Sequence, residues 1–87
     1  DETVKVVPVG AKPQLYVQVG AFSQYDNANK MRARLSLIGP AKIYQVRTFE
    51  RPFFRVRLGP LTDVAKADSL LESVIDAGMK DARIVVE

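Results

Sequence analysis

Two arginines lie two residues apart in Phe54–Leu58, a segment in which charged and apolar side chains alternate. In a β-strand, this alternation places Arg55 and Arg57 on one face and the apolar residues on the other. Gln18 has the same relation to its β-branched neighbours in an earlier segment. Guanidinium groups bind carboxylate or phosphate through charge-assisted hydrogen bonds, and a glutamine amide adds further hydrogen-bonding groups. The pattern therefore predicts a surface that binds an anionic ligand.

The sequence offers little for catalysis, because it contains no His and no Cys. It therefore lacks the commonest general base, thiolate metal ligands and a cysteine nucleophile. A glycosidase needs two carboxylates that face one groove. Asp26, however, has the position of a helix cap, Glu50 falls in a turn, and the acidic residues after Leu61 fall on or beside the second predicted helix. We expect a non-catalytic binding module with no metal site and no cofactor.

The 87 residues are enough for one small globular domain. Pro8, Gly10 and Pro13 favour extended or linker conformation, so we expect residues 1–13 to form a tether and residues 14–87 to form the domain. The first residue is not methionine, which suggests a piece of a longer or processed protein. No apolar run approaches the roughly 18 residues of a membrane helix, so we expect no membrane insertion.

An internal repeat predicts the topology, since Val17–Gly39 aligns with Val56–Gly78 without a gap. Each half has a β-branched strand, a Gly turn, a Ser or Thr helix cap, an amphipathic helix and a terminal Gly. Ser23, with Asp26 three residues later, has the spacing of a capping box, and Thr62 has the equivalent position in the second half.

A further apolar segment follows each terminal Gly, at Ile43–Phe49 and at Ala82–Val86. The resulting βαββαβ order predicts an α+β fold of the ferredoxin-like or RNP-like type, with a four-stranded antiparallel sheet and two helices on one face. In the usual strand order 4-1-3-2, strands one and three are neighbours at the centre. We call the sheet surface that carries no helices the open face.

Period-two alternation assigns side chains to the two sheet faces. The helix-covered face receives Leu15, Val17, Val19, Phe54, Val56 and Leu58. The open face receives Tyr16, Gln18, Gly20, Phe53, Arg55 and Arg57, and the edge strands add Gln45, Arg47 and Arg83.

A basic open face also has a simpler interpretation, because long cations keep a bare sheet soluble and cover apolar surface with their stems. The Gln, Tyr and Phe on the same face favour a ligand, since with Arg these side chains suit a sugar or nucleotide polymer. The turn Phe49–Pro52 either forms a wall at one end of this face or packs on itself, and we favour the second.

Three segments resemble the SPOR (sporulation-related repeat) domain: Leu15–Ser23, the helix that begins at Asn27-Ala28, and Phe54–Leu61 followed by Ala67. The resemblance spans Gln14 to Val86. It implies a small βαββαβ module of the bacterial periplasm that binds peptidoglycan glycan strands stripped of their stem peptides, here called denuded strands. Such modules target their parent proteins to the division septum. The implied parents include amidases, division proteins and lytic transglycosylases, of which we favour the last.

The resemblance also implies the contact residues. Gln18, Phe53 and Arg55 match the family's positions on the first and third strands best. Phe22 aligns with Leu61 in the repeat, so we expect it in the core. The sequence does not rank Arg55 above Arg57. The full set of expected glycan contacts is Gln18, Ala21, Ser23, Tyr25, Asn27, Lys30, Phe53, Arg55 and Arg57.

Two alternatives belong to other functional classes. An RNA-binding RRM has the same topology and an exposed sheet, but the RRM motif has no counterpart in Phe53–Pro60, so we expect no nucleic-acid partner. A ferredoxin-like oligomerisation or regulatory domain would pair its sheets. Arg55 and Arg57 would then face their own copies, and this repulsion favours a monomer.

Overall fold

Four strands with β-branched and aromatic residues alternate with two amphipathic helices. The computed structural model describes residues 13–87. Its elements are β1 (Leu15–Phe22), α1 (Tyr25–Leu35), β2 (Ala41–Val46), β3 (Phe53–Leu61), α2 (Val64–Asp76) and β4 (Arg83–Val86). This βαββαβ order confirms the predicted α+β fold. The predicted tether lies outside the described residues, except for Pro13.

The sheet is antiparallel throughout, with strand order β2-β3-β1-β4. This is the predicted order 4-1-3-2 read from the other edge, so β1 and β3 are the central strands. Backbone hydrogen bonds of 2.8 and 2.9 Å join Gln14 to Glu87 in both directions, next to the pairing of β1 with β4. The first and last described segments are therefore held side by side.

The hydrophobic core lies between one sheet face and the two helices. Its fully buried members come from both central strands and both helices: Val17, Val56, Leu58, Ala28, Leu35 and Val74. Burial of each larger aliphatic side chain stabilises the fold by about 1.5–3 kcal/mol. Phe22 packs against this cluster, as predicted. Of the described elements, no helix lies on the opposite sheet face, which is the open face.

The N-cap of each helix lies one residue later than predicted. The N-cap of α1 is Gln24, with no side-chain cap hydrogen bond, so the prediction of Ser23 as the cap is wrong. The N-cap of α2 is Asp63, not Thr62, and its carboxylate accepts a 2.8 Å hydrogen bond from the backbone N–H of Ala65. In the first half, β1 extends to Phe22 in the core, and the chain needs two more residues before α1 begins.

A β-bulge in β1 changes the predicted faces. Gln18 pairs with Arg57 and Gly20 pairs with Val56, so β1 has one residue more than β3 over this step. The prediction of Gly20 on the open face is therefore wrong, since its partner Val56 faces the helices. Ala21 takes the next open-face position instead. The apolar spacing of two and then three residues along Val17, Val19 and Phe22 is the sequence signal of this bulge.

A second irregularity lies in β3, where Gly59 has φ +134°. A Cβ atom at this position would lie 3.0 Å from the backbone oxygen of Leu15. Only glycine combines this backbone conformation with so close an approach of β1. The residue therefore has a structural role in the pairing of the two central strands.

Strand β2 ends at Val46, whereas the predicted segment extended to Phe49, so the connection from β2 to β3 is longer than predicted. The Thr48 hydroxyl donates to the backbone oxygen of Arg51 (2.6 Å) and accepts from its N–H (3.3 Å), which closes a turn. Phe49 is 100% exposed, so the prediction that this turn packs on itself is wrong for that ring.

Candidate functional site

Strand register determines which side chains share the open face. Directly opposed residues of antiparallel strands lie on the same face. Strand β3 contributes Phe53, Arg55 and Arg57, and their partners on β2 are, in the same order, Val46, Tyr44 and Lys42. On its other side, β3 pairs Arg55 with Ala21 and Arg57 with Gln18 of β1. Gln18 in turn pairs with Arg83 of β4.

The predictions for the edge strands have a mixed outcome. Arg83 lies on the open face beside Gln18, as expected. Gln45 is opposite Phe54, on the helix-covered side, and Arg47 follows the end of β2. Those two assignments are wrong. Ile43 and Tyr44 are consecutive and both largely apolar, so the sequence of β2 does not alternate clearly and did not show which side chains lie on which sheet face.

Arg57 is buried on this otherwise open surface, with 4% of its area exposed. Its Nε donates to Gln18 Oε1 at 3.0 Å, while Nη1 and Nη2 donate to Glu87 Oε1 and Oε2 at 3.0 and 2.9 Å. Its guanidinium carbon also lies 5.2 Å from the ring centre of Tyr16 and 5.4 Å from that of Tyr44. Hydrogen bonds and ring contacts thus engage Arg57 on several sides, which favours a supporting role over ligand contact.

Tyr16 and Tyr44 pack against each other beside the Arg57 guanidinium, and with Gln18 and Glu87 they form the Arg57 cluster. Their rings meet edge to face, with centres 5.8 Å apart, and the Tyr16 hydroxyl donates to Gln14 Oε1 at 3.2 Å. Burial, followed by the charge and hydrogen bonding of Tyr16, raises the pKa of Tyr44. Tyr16 lies on the predicted face but is only 4% exposed, so its ring is not a platform for a ligand.

Arg55 lies closer to the solvent than Arg57 and is partly buried. Its guanidinium carbon is 5.6 Å from the ring centre of Phe53, which is within the range of a cation–π contact. Burial lowers the pKa of Arg55, and the charge of Arg57 adds to this effect. Arginine nevertheless stays protonated at neutral pH. Arg55 therefore provides positive charge at the accessible part of the open face.

Ala21 is exposed and stands directly opposite Arg55 in the β1–β3 register. Its side chain is only a methyl group, and we call this small, exposed site the open position beside Arg55. Gln18 lies on the same strand, with Val19 and Gly20 of the bulge between it and Ala21. We call Gln18, Ala21, Phe53 and Arg55 the Arg55 patch. It combines a cation, an amide, an aromatic ring and an open position, which suits an anionic group on a sugar.

The structure places the predicted α1 residues elsewhere. Ser23 is exposed in the link between β1 and α1, close in sequence to Ala21. The Tyr25 ring packs edge-on against Phe54, which faces the helices, with ring centres 5.6 Å apart. Asn27 and Lys30 are exposed on α1, which covers the other side of the sheet. These α1 side chains are therefore not brought into the Arg55 patch.

Sequence reasoning missed Glu87 and Tyr44, which complete the Arg57 cluster. The signal for Glu87 was available, because Arg83, Val85 and Glu87 follow the period of two that defines the open face. The same period relates Lys42, Tyr44 and Val46 in β2.

Within residues 13–87, no group of three or more His, Cys, Asp or Glu side chains could hold a metal ion. Neither α1 nor α2 is long and apolar enough to cross a membrane. The chemistry that the Arg55 patch offers is reversible binding through charge and hydrogen bonds.

Comparison with known proteins agrees with this picture. The SPOR domain family model matches residues 11–84. The crystal structure of the RlpA SPOR domain from Pseudomonas aeruginosa is 33% identical and has a TM-score of 0.75, with 82% of this chain and 96% of that chain covered. No curated protein sequence gives a significant match.

A more distant structure shares the fold. The solution structure of the peptidoglycan binding domain of the B. subtilis cell wall lytic enzyme CwlC is 22% identical and has a TM-score of 0.70, with 94% of this chain and 99% of that chain covered. SPOR is a binding domain, and no catalytic family is indicated. From the family match, the identity to the RlpA domain and the shared fold, we conclude that this chain belongs to the SPOR domain family.

Proposed function

We propose that this chain is a non-catalytic peptidoglycan-binding module that recognises denuded glycan strands through the Arg55 patch and the start of α1. The name of the CwlC domain, which is described as peptidoglycan binding, and the family match support the general function. The observation that carries the finer proposal is the pairing of Arg55 with the small, exposed Ala21.

A free carboxylate is the group that distinguishes a denuded strand. Removal of the stem peptide leaves the lactyl group of each muramyl residue as an anion, whereas an intact strand has an amide there. The Arg55 guanidinium can bind this anion with charge-assisted hydrogen bonds. The open position at Ala21 receives the carboxylate, and the Phe53 ring contacts the sugar.

Steric and electrostatic effects then act in the same direction. An intact strand presents no carboxylate to Arg55, and its bulky stem peptide would clash with the surface of the sheet. We propose Arg57 as a support of this surface rather than a ligand contact, because its donors are engaged by Gln18 and Glu87. Ser23 extends the site at the start of α1. Tyr25, Asn27 and Lys30 stay predicted contacts for a strand that continues around this end of β1.

The biological role follows from binding alone. A monomeric module of this kind increases the local concentration of its parent protein on the glycan. We propose that the parent is a periplasmic cell-wall protein, that denuded strands direct it to the division septum, and that it is a lytic transglycosylase lipoprotein of the rare lipoprotein A type. The identity to the RlpA SPOR domain supports this choice of parent.

Co-sedimentation with purified sacculi tests the proposal. One sample of sacculi is untreated, and the other has had its stem peptides removed by an amidase. We expect the wild-type chain to be enriched on the treated sacculi and Arg55→Ala to lose most of this enrichment. Arg34→Ala is the matched control, because Arg34 is an exposed arginine on α1.

An excess of RNA in a parallel sample addresses the main alternative. Glycan binding that persists in the presence of RNA supports the proposal. Equal or absent binding to both kinds of sacculi contradicts recognition of denuded strands, and retention on RNA alone would make the open face a nucleic-acid surface.

A further inference from the structure

The contacts of Gln18 determine whether the oxygen or the NH2 group of its side-chain amide is directed away from Arg57. Arginine can only donate hydrogen bonds, so the Gln18 atom that lies 3.0 Å from Arg57 Nε must be the amide oxygen. The amide NH2 group is then turned away from Arg57. Among residues 13–87, no group accepts a hydrogen bond from this NH2 group.

The Arg57 guanidinium is itself held in place by contacts on its other sides, so the Gln18 amide keeps this orientation. Its two terminal nitrogens bind both carboxylate oxygens of Glu87, and the Tyr16 and Tyr44 rings contact the guanidinium. Arg83, the neighbour of Gln18 on β4, is also a donor only, so it too favours the amide oxygen.

We propose that Arg57, held by Glu87, is a positioning residue that makes Gln18 a hydrogen-bond donor toward the ligand, so that the Arg55 patch selects an acceptor-only oxygen group such as a carboxylate. The inference rests on the proposed function and adds a second donor to it. Arg55 and Gln18 lie on adjacent strands, on either side of the open position at Ala21. Residues on this diagonal are close enough for long side chains to reach one group.

Gln18→Glu separates this role from a purely structural one. A glutamate keeps the length of the side chain and still accepts from Arg57, but it has no N–H to donate. Since Arg55, Arg57 and Arg83 surround this position, we expect the melting temperature to stay equal or rise. The affinity for soluble denuded glycan should fall about tenfold or more, because a hydrogen bond to an anion is lost and a like charge is added.

Gln14→Glu is the matched control. It adds the same charge at the exposed start of the same sheet, and its side chain still accepts from the Tyr16 hydroxyl. We expect less than a twofold change in affinity. Near-wild-type binding by Gln18→Glu would overturn the inference while leaving the proposed function standing. A large drop in its melting temperature would also overturn it, and absence of wild-type binding would overturn both.

The role of Arg57 has its own readout in ¹H–¹⁵N spectra. We expect the Gln18 side-chain NH2 pair to shift when denuded glycan is added, and that of Gln14 to stay unchanged. In Glu87→Gln, which weakens the hold on Arg57, the Gln18 shift should be smaller while the dispersed backbone spectrum persists. An undiminished Gln18 shift in this variant would contradict the positioning role.

Discussion

Arg57 and Glu87 form two parallel hydrogen bonds, of 3.0 and 2.9 Å, between the centre of the sheet and the residue after β4. The Arg57 side chain is 5% exposed and that of Glu87 is 28% exposed. This pair divides the open face into a closed cluster around Arg57 and an accessible patch around Arg55. Two arginines that the sequence could not distinguish therefore differ in burial and in contacts.

The first prediction concerns the stability that this pair provides. Glu87→Ala should lower the free energy of unfolding by about 2–4 kcal/mol, because it leaves the nearly buried guanidinium without its carboxylate. Glu50→Ala, at an exposed turn position, should change it by less than about 0.5 kcal/mol. Urea denaturation measures both values. Similar midpoints for the two variants would show that the pair contributes little.

The fold was predictable because its signals are repeated and local. The two aligned halves gave the βαββαβ order, and alternation in β3 placed Phe53, Arg55 and Arg57 correctly. Helix starts were displaced by one residue because Ser and Thr were given precedence over neighbouring residues. Asp63 directly follows the predicted cap Thr62, and its carboxylate makes it an equally good cap.

The site was less predictable, because side-chain reach and strand irregularity decide it. The bulge moved Ala21 onto the open face, and alternation alone could not place it there. The burial of Arg57 depends on Tyr16, Tyr44 and Glu87, which come from three other segments of the chain. A pattern in one strand cannot show that a cation is covered by side chains from its neighbours.

The second prediction compares the two caps. Asp63→Ala should lower the free energy of unfolding by about 1 kcal/mol, because its carboxylate accepts the Ala65 N–H at the start of α2. Ser23→Ala should change it by less than about 0.5 kcal/mol, since Ser23 is exposed and does not cap α1. Thermal unfolding of both variants is the measurement. A larger loss for Ser23→Ala would restore it as a structural cap.

The third prediction concerns stability at alkaline pH. Burial and Tyr16 raise the pKa of Tyr44 in the folded protein, so its phenol keeps a proton that the unfolded chain releases above about pH 10. The resulting stability is complete below that pH and is lost as pH rises through the folded pKa. Tyr44→Phe removes this contribution, so its unfolding free energy should decline less steeply above pH 10. Parallel pH profiles for the two proteins would contradict the assignment.

The fourth prediction tests the open position beside Arg55. Ala21→Leu places a larger side chain there and should weaken binding to denuded glycan about tenfold or more, as a steric clash at a specific contact does. Because Ala21 is exposed, the stability should change little. Ala33→Leu, at an exposed position of α1, is the control and should bind like the wild type. Full binding by Ala21→Leu would place the ligand elsewhere.

The most direct test of the central claim is calorimetric titration with soluble denuded glycan before and after chemical reduction of its carboxylates to alcohols. If Arg55 recognises the free carboxylate, the wild-type chain should bind the reduced glycan at least about tenfold more weakly, since a charge-assisted hydrogen bond is lost. Arg55→Ala should bind both glycans weakly and show a smaller difference between them than the wild type, since only the Gln18 NH2 group is left to donate to the carboxylate. Equal wild-type affinity for the two glycans would contradict carboxylate recognition by the open face.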